Sequence, residues 1–227
     1  MKPTATGILA RMKTIADPAR LESMARHGIH TDKGLGLKMP QIRALAKELG
    51  RDHPLALALW ETDIHEARIL APMLAEPALV NSALMDAWAA GFDSWDICDQ
   101  CCINLFRRLP LAWDKIVAWA PREEEFVRRA AFALIATLAL HEKAEPDGRF
   151  TALLPLIEGH SDDHRNFVKK AVNRALRQIG KRNMALNGHA IAAANRILAR
   201  NTNAARWIAH DALRELRDEK IRNRLAR

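Results

Sequence analysis

The chain has 227 residues, of which 49% are apolar, enough to build a core in one large domain or two small ones and too much for a disordered polymer. A formal net charge of +8 and a pI near 9.8 favour an acidic partner such as nucleic acid or an anionic surface. The excess is uneven: residues 165 to 227 carry 16 Lys and Arg against 4 Asp and Glu, a net +12, which leaves −4 for the first 164.

The opening residues, MKPTATGILARMKT, lack the continuous apolar run of a secretory signal. No later segment reaches the roughly 18 apolar residues needed to span a bilayer. Three cysteines, Cys98, Cys101 and Cys102, stand too close together to staple distant parts of a chain. The expectation is a soluble protein of a reducing cytoplasm.

Helical spacing dominates and no alternating strand pattern stands out. The pattern predicts helices at about 41–49, 63–75, 79–90, 94–107, 111–118, 123–141, 150–157, a stretch after Asn166, 185–199 and 204–216. Pro40, Pro54, Pro77, Pro110, Pro121 and Gly180 fall between these segments or near their ends. Short helices with short loops imply antiparallel pairs. After Asn166 one stripe carries Phe167, Val168, Ala171, Val172, Ala175, Leu176 and Ile179, which must be buried. The other face carries Lys170, Arg174, Arg177 and Lys181, followed by Arg182, which reads as an exposed cationic ridge suited to phosphates.

An aromatic recurs at Phe126, Phe167 and Trp207, at intervals of 41 and 40 residues. That is the period of HEAT-type repeats, in which each helix pair buries its apolar face by stacking on its neighbours. The expected fold is therefore all-α, a right-handed solenoid of HEAT-like antiparallel helix pairs over residues 1–227 as a single domain. Basic pairs at one phase would line its concave face. The alternative is coincidence among helices of similar length in an ordinary bundle.

The most unusual run is GFDSWDICDQCC, from Gly91. Asp93 or Ser94 suits a helix N-cap, and Asp96 suits a capping box. Asp99 follows Trp95 by four residues, so indole and carboxylate project from one helical face and together favour a cation. A core tryptophan with Asp99 bridging to an arginine is the competing reading.

The phrases SWDICDQCC, EEFVRRAAFALIA and RNFVKKAVNRALRQIGKRN closely resemble those of the bacterial DNA alkylation repair proteins of the AlkD type, HEAT-like-repeat DNA glycosylases. The similarity runs from MARHGI at Met24 to RWIAHDALREL at Arg206. It implies excision of cationic N3- or N7-alkylated purines from double-stranded DNA, without a base-binding pocket, a cofactor or a metal, by a monomer that reads little sequence. It makes Asp99 the stabiliser of the oxocarbenium-like sugar and positioner of water, with Trp95 packed on the deoxyribose. Arg129 would help hold the DNA, and Arg177 and Lys181 fall on family DNA-contact positions. One departure stands out: where the family has a second tryptophan, this chain has Arg174. A guanidinium there either reaches a phosphate or lowers activity, since it repels a cationic nucleoside. The rival function is a non-catalytic HEAT-like module that binds nucleic acid or a protein partner.

Other signals carry less. Cys98-x-x-Cys101 lacks a second ligand pair and reads as small packing residues. His65-Glu66 has no histidine at position 69, so no H-E-x-x-H zinc site exists. The GLG of Gly34–Gly36 is too short for a nucleotide loop, and Trp60, Trp88, Trp113 and Trp119 are expected to pack between repeats.

Overall fold

The computed structural model describes residues 3–226, which contain helices and turns but no strand. Chain contacts divide it into two compact units, Met1–Leu111 and Ala112–Arg227.

The first unit holds α1 (Ala5–Thr14), α2 (Leu21–Arg26), α3 (Met39–Leu49), α4 (His53–Trp60), α5 (His65–Leu74), α6 (Ser82–Ala90) and α7 (Trp95–Asn104). Side-chain caps start three of them: Thr4 accepts from Gly7 N, Asp52 from Leu55 N and Asn81 from Leu84 N. The short link from α4 to α5 folds the pair back on itself, and α5 packs between α3 and α7. Trp60 stacks on Trp88 at 4.4 Å between ring centres, and both rings are buried. Sequence reasoning passed over α1, α2 and α4: α1 buries only Ile8 and Met12, α2 buries nothing, and α4 is apolar on nearly all sides and so shows no contrasting polar face.

The second unit holds α8 (Ala112–Trp119), α9 (Glu125–His141), α10 (Asp147–Thr151), α11 (Leu154–Gly159), α12 (Asn166–Gly180), α13 (Met184–Ala199), α14 (Asn203–Leu216) and α15 (Glu219–Leu225). The segment expected as one helix at 150–157 is two short ones, the second opening with Pro155 in its first turn, where a missing N–H costs nothing. α9 is buried almost all round, between α8 and α12. α12 packs in turn on α13 and α14, and its apolar stripe is buried as expected from Val168 to Ile179, while Phe167 at its head is half-buried. Gly180 ends that helix where a Cβ would lie 2.6 Å from Leu216 Cδ2, so α12 and α14 approach closely there.

Candidate functional site

In the first unit the head of α7 is built by its neighbours. Ser94 is the N-cap, but its hydroxyl accepts from His30 N at 3.0 Å and makes no bond to the first turn of the helix. The half-buried Trp95 opens the helix, and its indole Nε1 donates to His27 O at 3.1 Å, so the residues after α2 hold the ring in place. The expected capping box around Asp96 does not form. Asp96 divides its carboxylate instead: Oδ1 accepts from Ile97 N in the first turn at 3.0 Å, and Oδ2 pairs with Nε2 of the buried His65 on α5 at 3.0 Å. Burial works against a charged His65, but the hydrogen bond and the charge of Asp96, with Glu66 and Asp93 behind, outweigh it and raise its pKa above the ordinary histidine value.

Asp99 lies one turn beyond Trp95 and keeps only 6% of its surface accessible. Its α7 neighbours Cys98, Cys101 and Cys102 form no disulfide and are sealed in the core. Burial pushes the Cys101 and Cys102 thiols far up, and their cysteine neighbours add to it, so both stay protonated. They act as small apolar packing around the Asp99 turn.

Beside Trp95 opens a cavity of about 230 Å³, walled by Met24, Ile29, Leu37, Ile69, Trp95 and Gln100 among others, with His65, Glu66 and Asp96 at its edge. Glu66, 1% exposed, shapes one wall: its carboxylate accepts from Leu35 N at 2.8 Å, Gly36 N at 2.7 Å and Leu37 N at 3.2 Å. Gly36 has φ +76°, and a Cβ there would strike Asp17 O at 2.1 Å, which is why that position of the GLG run is a glycine. Sequence reasoning weighed His65-Glu66 only as a zinc motif and so missed that the pair frames Trp95.

The second unit rewrites the basic ridge. Arg177 Nη1 donates to Glu215 Oε2 at 2.7 Å, and Lys181 Nζ donates to Glu215 Oε1 at 2.6 Å. Asn173 donates to Asp211 Oδ2 at 2.7 Å, and Arg177 lies 3.4 Å from the same oxygen. The face expected to meet solvent is thus largely the polar seam between α12 and α14. Arg182 departs further from expectation: its side chain is 4% exposed and donates to the carbonyls of Ala139, Glu142, Lys143 and Glu145, capping the C-terminal end of α9. Burial also lowers its pKa. Arg129 is likewise a brace, 5% exposed, with Nη1 donating to Phe167 O at 2.7 Å. Of the remaining candidates Lys170 is exposed and Arg174 half-buried.

The repeat echo is physical. Phe126 and Phe167, at the heads of α9 and α12, meet at 5.6 Å between ring centres. Trp207, in the second turn of α14, is 40% exposed and carries Lys169 Nζ 4.8 Å from its ring centre. Among the described residues no three His, Cys, Asp or Glu side chains are grouped to hold a metal ion, and no helix is long and apolar enough to cross a membrane.

A family model described as DNA alkylation repair enzyme matches residues 8–216. A solved structure, described as belonging to a new family of proteins related to the HEAT-like repeat DNA glycosylases with affinity for branched DNA structures, is similar over 94% of this chain and 95% of its own. The TM-score is 0.77 at 16% identity, which identifies the fold. No curated protein matches the chain.

Proposed function

The chain belongs to the DNA alkylation repair enzyme family, and from that premise we propose that it is a DNA glycosylase acting on cationic N3- or N7-alkylated purines in duplex DNA. The observation that carries this reading is the head of α7, where a half-buried indole pinned by His27 O stands one turn from the nearly enclosed carboxylate of Asp99.

An N3- or N7-alkylated purine leaves as a neutral base, so the departing group needs no proton. The barrier lies in the positive charge that grows on the sugar as the C1′–N bond stretches. Carboxylates stabilise such oxocarbenium-like states in glycoside hydrolysis. Asp99, shielded from bulk water, would act on that charge with little dielectric loss and orient the water that adds to C1′. Trp95 offers a fixed aromatic wall for the deoxyribose. Its anchor and the His65–Asp96 bond hold the first turn of α7 still while the sugar reacts. A monomer in the cytosol, free of cofactor, is the form in which we expect it to work.

Arg174 favours a second reading. A guanidinium on α12 suits a phosphate better than a cationic nucleoside, and the structurally similar protein is described as having affinity for branched DNA, so this chain would bind DNA without cutting the glycosyl bond. Incubation with duplex carrying N7-methylguanine, followed by measurement of free base, separates the two. The glycosylase reading expects release that falls about 10²- to 10³-fold in Asp99→Asn while duplex binding persists. Salt-sensitive binding with no release by the wild type would establish the other.

A further inference from the structure

Among the Phe and Trp side chains of the described residues, Trp207 alone is exposed. Single exposed apolar side chains are ordinary, and an exposed indole alone would mean little. Its setting is what differs. Phe126 and Phe167, its counterparts in the repeat, are half-buried and pack on each other, whereas Trp207 ends the row and leaves part of its ring open to solvent. The last helix pair of a repeat array ordinarily turns a polar surface to water.

The cations around this ring are also distributed unlike the rest of the ridge. Asp211 and Glu215, the two acids of α14, are drawn into the seam with α12 by Asn173, Arg177 and Lys181. Lys169 lies over the Trp207 ring, and the chain neighbours of these two residues, Lys170 and Arg206, are exposed, with Arg206 propped by the side-chain oxygens of Asn201 and Asn203. Positive charge beside an aromatic face suits a flat π-system attached to an anion. Away from its ends a duplex presents only base edges and phosphates, so along its length the face of an indole can be covered only by a base that has left the stack.

We propose that Trp207, with Lys169, Lys170 and Arg206, is a stacking site for an unpaired nucleobase of a DNA strand, the cations taking the flanking phosphates. The site rests on the nucleic-acid reading above but not on the chemistry at Asp99. It would let the protein hold a strand at a gap, a fork or a lesion where pairing has been lost.

The test uses the full chain and fluorescence anisotropy at fixed salt, with a labelled oligothymidylate, a blunt duplex and a duplex carrying a short gap. Trp207→Ala should weaken the oligothymidylate and the gapped duplex about tenfold and leave the blunt duplex unchanged, while Trp207→Phe keeps most of the affinity. Superimposable thermal melts would show that the variants fold. Unchanged oligothymidylate binding by Trp207→Ala, an equal loss on the blunt duplex, or a wild type that ignores single strands would each overturn the proposal. Base release from alkylated duplex is read separately. Its absence in the wild type counts against the glycosylase and leaves the stacking result standing.

Discussion

Asp163 offers a sharp test of how the second unit is held together. Its Oδ2 accepts from Arg128 Nη1 at 2.8 Å and Arg165 Nη2 at 2.5 Å, and its Oδ1 accepts from the Arg165 backbone N and Nε, both at 3.0 Å. One carboxylate, 5% exposed, thereby ties the head of α9 to the entrance of α12. Burial alone would raise its pKa, but the hydrogen bonds from Arg165 and Arg128 overcome this and lower it from 3.8 to about 2. The difference is worth roughly 2 kcal/mol at neutral pH, or about 1–2 kcal/mol once screening by water around the arginines is allowed for. A depressed carboxylate stabilises the fold above its ordinary pKa and loses that contribution as pH falls toward about 2. Asp163→Asn should therefore cost about 1–2 kcal/mol in urea unfolding at pH 7, and the gap to wild type should shrink to about half near pH 3. A gap that is the same at pH 7 and pH 3 would refute the assignment of this stability to charge.

Two further substitutions probe the frame of each unit. Glu66→Gln turns an amide N–H toward one of the three backbone N–H groups that the carboxylate now satisfies, so urea unfolding should show a loss of about 1–3 kcal/mol. A loss below about 0.5 kcal/mol would mean that the 35–37 wall stands without it. Gly180→Ala places a methyl 2.6 Å from Leu216 Cδ2 and 2.8 Å from Ala190 Cβ, and the overpacking should cost about 1–3 kcal/mol, seen as a Tm several degrees lower. A wild-type Tm would show that α12 and α14 do not meet as closely as described.

The helices that sequence periodicity found are those with a broad apolar stripe. α12 shows why: Val168, Ala171, Val172, Ala175, Leu176 and Ile179 are all buried, and no other secondary structure could place them on one side. α1 has only Ile8 and Met12 buried, too short a pattern to detect without its neighbours. The α7 motif was legible in part. Spacing placed Trp95 and Asp99 on one helical face, but the anchor at His27 O lies 68 residues away and the Asp96 partner 31 residues away. Local pattern cannot report contacts at that range, so it found the bond of Asp96 to a first-turn amide and missed the bond of its other oxygen to the buried His65.

The ridge failed for a more instructive reason. Amphipathic reasoning assigns charged residues to water because an isolated charge is costly to bury, yet that cost is largely met when the opposite charge arrives from the next repeat. The spacing that repeats the aromatics also repeats the pairing: Arg177 and Asn173 each reach acids 38 residues further on, and Arg128 and Arg129 reach partners 35 and 38 residues on. Charge complementarity between successive repeats thus does part of the work of stacking, and it consumes cations that composition alone would assign to DNA. A count of +12 for residues 165–227 overstates what a polyanion can meet, because Arg177, Lys181 and Arg182 are already occupied. The cations that remain exposed, such as Lys170 and Arg206, are where a nucleic-acid contact costs no internal bond to a carboxylate. Binding lost on removing them while Arg182 variants lose stability instead is the division of labour this arrangement demands.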